Sequence, residues 1–164
     1  MKKSRPKKKL LSEEETIEKV YLKALNFLSY RRRSEKEIND RLDQYFRKEK
    51  SNLKEAVLSK LKEEGFVDDS RFTQEMVLSL SRSNSPRGVY SKLYKRGINK
   101  ELVDESLSAL EEDYEYESAC RVFDKKVKNP ALLGNPSMRK KIMDFLFRKG
   151  YSWDIIRRVF DTRT

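Results

Sequence analysis

A short block recurs along this 164-residue chain. Leu93-Tyr94-Lys95-Arg96-Gly97-Ile98-Asn99 returns 53 residues later as Leu146-Phe147-Arg148-Lys149-Gly150-Tyr151-Ser152. Each copy reads as the end of one helix, a glycine able to take the left-handed conformation, and a cap for the next helix. The inward pairs Ile38/Leu42, Val89/Leu93 and Ile142/Leu146 carry the register back to a third copy near the N-terminus. A unit of this length has only a small core, so neighbouring copies are expected to lean on one another. The expected fold is all-α: three tandem three-helix repeats, helix-turn-helix-like, in an elongated, curved arrangement. A single nine-helix globule is the alternative. The expected boundaries are a disordered basic tail over 1–11 and modules over 12–65, 66–112 and 113–164.

The local signals agree with helices throughout. Ser12 with Glu15 and Ser34 with Glu37 form capping boxes. Between them Ile17, Val20, Tyr21, Ala24, Leu25 and Leu28 recur on one helical face. Asn52 with Glu55 is expected to cap a third helix carrying Leu53, Val57 and Leu61, ended by Gly65. Asp68-Asp69 opens the next helix, with Phe72, Met76 and Leu80 inward. Ser85-Pro86 and Asn135-Pro136 each place a cap before a proline at the first helical position. Asn99 and Ser152 cap the helices that close the second and third modules. Tyr116, Ala119, Cys120, Phe123 and Val127 share one face, and Asn129-Pro130 interrupts it. With only 5 Gly and 4 Pro, little competes with helix.

Chemistry is hard to find in this chain. It has no histidine and one cysteine, so the commonest general base is absent and neither an internal disulfide nor a cysteine zinc site can form. Cys120 falls on an inward face, which suits a buried thiol rather than a nucleophile. Asp68-Asp69 reads as a helix start whose carboxylates the helix dipole favours. Asp124 and Asp144 read as isolated surface acids. No catalytic residue, cofactor or metal is expected. Without an apolar run of membrane length or a signal-peptide core, a cytoplasmic protein is expected.

The charge is more informative. The net +11 divides as +3 over 1–16, +4 over 17–65, −2 over 66–113 and +6 over 114–164. A basic excess of this size favours an anionic partner. Three clusters carry it: Arg31, Arg32 and Arg33; Lys92, Lys95 and Arg96; and Arg139, Lys140, Lys141, Arg148, Lys149, Arg157 and Arg158. These are the expected partner or nucleic-acid contacts. A groove-reading helix does not suit the middle module, whose last helix carries Glu101, Asp104 and Glu105 and would meet phosphate repulsion. A direct DNA-binding helix-turn-helix transcriptional regulator is therefore the second reading. Tyr90, Tyr94, Tyr151 and Trp153 have faces that can stack on bases. Tyr90 reads as core, and partial burial is expected for Tyr94 and Trp153.

Several stretches resemble the RecX regulatory proteins of bacteria. They are Ala24-Leu25-Asn26-Phe27-Leu28-Ser29-Tyr30-Arg31-Arg32-Arg33-Ser34-Glu35-Lys36-Glu37-Ile38, then Gly65-Phe66-Val67-Asp68-Asp69-Ser70-Arg71-Phe72. Ser85-Pro86-Arg87, Leu93 to Ile98, and Phe145 to Ser152 follow in family order. Three positions depart from the family's habit: Ser85 where glycine is usual, Thr73 where an alanine-like residue is usual, and Tyr151 where phenylalanine is usual. The resemblance implies a cytoplasmic, monomeric, non-catalytic regulator of the RecA recombinase. Its partners would be the RecA filament and single- or double-stranded DNA, met directly or through RecA, with no membrane. It would limit filament growth and depress ATP hydrolysis, strand exchange and repressor cleavage.

Overall fold

The computed structural model describes residues 12–46 and 51–163. The basic tail expected over 1–11 lies outside them. Among the described residues the chain is all-α, with α1 (Glu13–Ser29), α2 (Glu35–Leu42), α3 (Ser51–Glu63), α4 (Asp69–Leu80), α5 (Pro86–Tyr94), α6 (Lys100–Ser108), α7 (Tyr114–Lys126), α8 (Pro136–Arg148) and α9 (Trp153–Arg163). A short 3₁₀ helix, Pro130–Gly134, follows the break after α7.

The helices group in threes, and in each group the first packs mainly on the third. Each group has its own apolar cluster. One joins Val20, Ala24, Ile38, Leu42, Val57 and Leu61. A second joins Phe72, Val77, Val89, Leu93, Val103 and Leu107. The third joins Ala119, Phe123, Ile142, Leu146, Ile156 and Phe160. The chain divides into two compact units, Met1–Asp68 and Asp69–Thr164, so the second and third triplets form one body.

Polar groups hold that second body together. The Ser85 hydroxyl caps α5 by accepting from the Gly88 amide at 3.1 Å and donates to the Lys149 carbonyl at 2.8 Å. The Ser118 hydroxyl lies 2.8 Å from the Tyr151 hydroxyl and 3.2 Å from the Asn84 carbonyl. Arg121 Nε donates to the Arg82 carbonyl at 2.9 Å. Ser85 and Ser118 are fully buried, so each of these bonds replaces one otherwise made to water.

The capping boxes at Ser12 and Ser34 form, as do the side-chain caps at Ser85, Asn99 and Asn135. Gly65, Gly97 and Gly150 take φ values of 74°, 80° and 92°, which a side chain would resist. The expectations differ from the structure in a few places. Asn52 lies inside the first turn of α3, which starts at Ser51; adjacent polar residues offer the helix two starts. In α4 the buried positions are Phe72, Thr73 and Val77, while Met76 and Leu80 pack at the edge. Thr73 can be buried because its Oγ1 donates to the Asp69 carbonyl at 2.6 Å. Asp124 is not isolated: it pairs with Arg163 at 3.2 Å. No described helix is long and apolar enough to cross a membrane.

Candidate functional site

The three basic clusters occupy different local settings. At the end of α1, Arg31 is a fork on Glu37, with Nη2–Oε1 at 2.6 Å and Nη1–Oε2 at 3.2 Å. The same Glu37 carboxylate closes the Ser34 capping box. Arg31 therefore braces the start of α2 as well as adding charge. The Arg33 guanidinium lies over the Phe27 ring at 4.0 Å, with Arg41 over the same ring at 5.1 Å. Burial, followed by the charges of Arg31 and Arg41, lowers the pKa of Arg33 against the opposing pull of Glu37. Arg32 is half-buried between these two. This cluster is partly built into the first triplet.

The second cluster lies at the end of α5. Lys92, Lys95 and Arg96 line a shallow depression beside Leu80. Lys92 donates to the Asn84 side chain at 2.7 Å, and Arg96 reaches the Lys92 carbonyl at 3.3 Å. Lys95 is exposed.

The third cluster is split by the fold. Arg158 pairs with Asp113 at 2.7 Å and covers the Tyr116 ring at 4.0 Å. That contact holds Asp113 below the usual carboxylate range, the hydrogen bond outweighing the general attraction. Arg157 sits 3.9 Å from Asp154. Arg139 lies over the Phe160 ring at 5.2 Å. Lys140, Arg148 and Lys149 are exposed, and Lys149 also ends α8 as its C-cap. Cations there interact favourably with the helix dipole.

The structure adds one cation that the sequence reading did not place in a cluster. Arg87, exposed in the first turn of α5, packs against the Gly150 turn: a Cβ built on Gly150 would fall 3.1 Å from Arg87 Cβ. The second triplet thus brings the aliphatic stem of Arg87 against the turn that follows Arg148 and Lys149. Residues sixty positions apart in the chain, roughly, carry no local sign of such a meeting. The aromatic expectations are also revised. Tyr151 is buried at 2% exposure, its hydroxyl turned to Ser118, so it offers no face for stacking. Tyr94 is 80% exposed rather than partly buried, and Trp153 is half-exposed. Among the described residues no group of histidine, cysteine and acidic side chains could hold a metal ion.

Comparison with known proteins identifies the family. The profile of the RecX third three-helix domain matches residues 112–160, and that of the first three-helix domain matches residues 21–45. The regulatory protein RecX of Clostridioides difficile (strain 630) is 31% identical over 156 residues, covering 93% of this chain and 72% of that protein. The regulatory protein RecX of Bacillus licheniformis is 34% identical over 146 residues, and that of Geobacillus sp. (strain WCH70) is 32% identical over 145. The chain spans about half, 53%, of the length of each of those two. The crystal structure of RecX from Lactobacillus salivarius superposes with a TM-score of 0.77 at 23% identity, over 92% of this chain and 97% of that one, a likeness of fold. On these sequence matches, this chain belongs to the RecX family of regulatory proteins.

Proposed function

We propose that this chain binds the RecA recombinase filament on DNA and restrains it, limiting filament growth and depressing ATP hydrolysis, strand exchange and repressor cleavage. Membership of the RecX family carries the reading. The chemistry of the surface supports it. A regulator of a nucleoprotein filament needs cations for a phosphate-rich target and no reaction centre of its own. The exposed cations Lys95, Lys140, Arg148 and Lys149 are suited to that task.

The contact set is Arg31, Arg32, Arg33, Lys92, Lys95, Arg96, Arg139, Lys140, Arg148, Lys149, Arg157 and Arg158. Within it, the exposed pair at the end of α8 contributes most: Lys149 makes only a 5.7 Å contact over the Phe145 ring, whereas Arg31, Arg33 and Arg158 hold closer intramolecular partners. The protein acts as a non-catalytic cytoplasmic monomer built of modules over 12–65, 66–112 and 113–164. The three separate apolar clusters favour a threefold division.

Co-sedimentation separates this reading from direct DNA regulation. The chain should pellet with RecA assembled on single-stranded DNA, and much less with the same DNA alone. Equal recovery on bare DNA, with a sequence preference, would favour a transcriptional regulator instead.

A further inference from the structure

The second triplet carries a groove of which the filament reading uses only Lys95, at its edge. It lies between α5, the Gly97 turn and the first turn of α6, and its volume is about 430 Å³. Tyr90, Tyr94, Ile98 and Val103 form its apolar walls, with Lys95 and Lys100 at its edge. That volume is in the range of sites that take a small-molecule-sized group.

The repeat shows what such a groove accommodates. In the register that aligns Leu93 with Leu146, Tyr94 corresponds to Phe147, Lys100 to Trp153 and Val103 to Ile156. In the third triplet the Trp153 indole stacks on Phe147, with ring centroids 5.0 Å apart and planes 21° from parallel. In the second triplet the first residue of the closing helix is Lys100, and Tyr94 is left 80% exposed. Among the described residues no ring stacks on Tyr94. One half of an aromatic pair is present and the other is missing.

The charges at the edge narrow the choice of occupant. Lys95 and Lys100 are exposed, and the ion pair of Lys100 with Asp104 is long, at 3.8 Å. Such a surface pair costs little to exchange. The acids Glu101, Asp104 and Glu105 follow on α6 and do not line the groove, although Asp104 stands beside Lys100. A phosphodiester strand, charged at every step, would run into them. A peptide can place its carboxylates beside the two lysines and nowhere else.

We propose that this groove docks an aromatic side chain from an acidic protein segment. The ring lies on Tyr94 as Trp153 lies on Phe147, and flanking carboxylates pair with Lys95 and Lys100. Offset aromatic stacking in a partly dry groove and screened ion pairs together suit a weak, exchangeable contact. The inference does not depend on the filament reading, because neither RecA nor DNA enters it.

The test uses the full chain and a fluorescein-labelled synthetic peptide, one tryptophan flanked on both sides by glutamates. Fluorescence anisotropy at low salt should show saturable binding. Replacing the peptide's tryptophan by alanine should weaken it by roughly tenfold or more. Tyr94→Ala should cost a similar factor, with no folding penalty at so exposed a position. Lys100→Trp supplies the missing ring from the chain itself and should abolish peptide binding while the thermal unfolding curve is kept. An oligothymidylate should not displace the peptide. No binding by the wild-type chain, or equal binding by wild type, Tyr94→Ala and Lys100→Trp, would overturn the proposal. Displacement by oligothymidylate, lost in Tyr94→Ala, would overturn it in favour of nucleic acid.

Discussion

Ser85, Ser118 and Tyr151 do at the residue scale what apolar packing alone would not. Each puts a hydroxyl between the second and third triplets. Ser85 both caps α5 and binds the Lys149 carbonyl. Ser85→Ala therefore removes a cap and takes a partner from the part-buried Lys149 carbonyl, and should cost about 2 kcal/mol in urea unfolding. Tyr151→Phe should cost about 1 kcal/mol, because Ser118 keeps its bond to Asn84. Gly150 is less tolerant. A Cβ there would meet Ser85 Oγ at 2.7 Å, at a φ of +92°. Gly150→Ala should lower stability by roughly 2 kcal/mol or more. Glu115 works the other way. Burial raises its pKa above the ordinary 4.5, outweighing the hydrogen bond from the Ser152 amide. A raised carboxyl favours the folded state while protonated, so that stability is fully present below 4.5 and is lost as pH rises through the raised value. Glu115→Gln should raise Tm at neutral pH by roughly a degree and leave it unchanged in acid. Differential scanning calorimetry at both pH values decides it.

At the scale of the element, helix starts and stops were the most legible feature. Capping boxes, cap-plus-proline pairs and terminal glycines are local chemistry, and sequence spacing reports local chemistry directly. The face that α4 buries was less legible. Thr73 looks polar until its hydroxyl is seen bonded within the helix, and its burial turns the stripe toward Val77. The basic clusters were visible as composition, but their division of labour was not. Arg31 is committed to Glu37 and Arg158 to Asp113 through bonds made only once the helices pack. Arg87 reaches the Gly150 turn for the same reason. The end of α8 is one place where charge stays exposed. Arg148→Glu with Lys149→Glu should weaken binding to RecA filaments by about tenfold. The reversal also opposes the dipole of α8 and should cost about 1 kcal/mol of stability. Thermal unfolding followed alongside co-sedimentation separates the two effects. A variant that keeps wild-type affinity would move the contact surface elsewhere.

Across the whole molecule, charge is distributed by triplet: basic over 17–65 and 114–164, slightly acidic over 66–113. That pattern suits a protein meeting a mixed assembly, with phosphate in some places and protein in others. Attraction of this kind is screened by salt, so binding to filaments should weaken steadily as ionic strength rises. The fold class follows from the repeat, but the joining of the second and third triplets into one body does not. It depends on buried hydroxyls and backbone carbonyls that no spacing rule pairs. The most direct measurement is DNA-dependent ATP hydrolysis by RecA, with this chain titrated in at several salt concentrations. Hydrolysis should fall as the chain is raised toward the amount of RecA present, and fall less with Arg148 and Lys149 reversed. An unchanged rate at stoichiometric amounts, at every salt concentration, would contradict a role in restraining the filament.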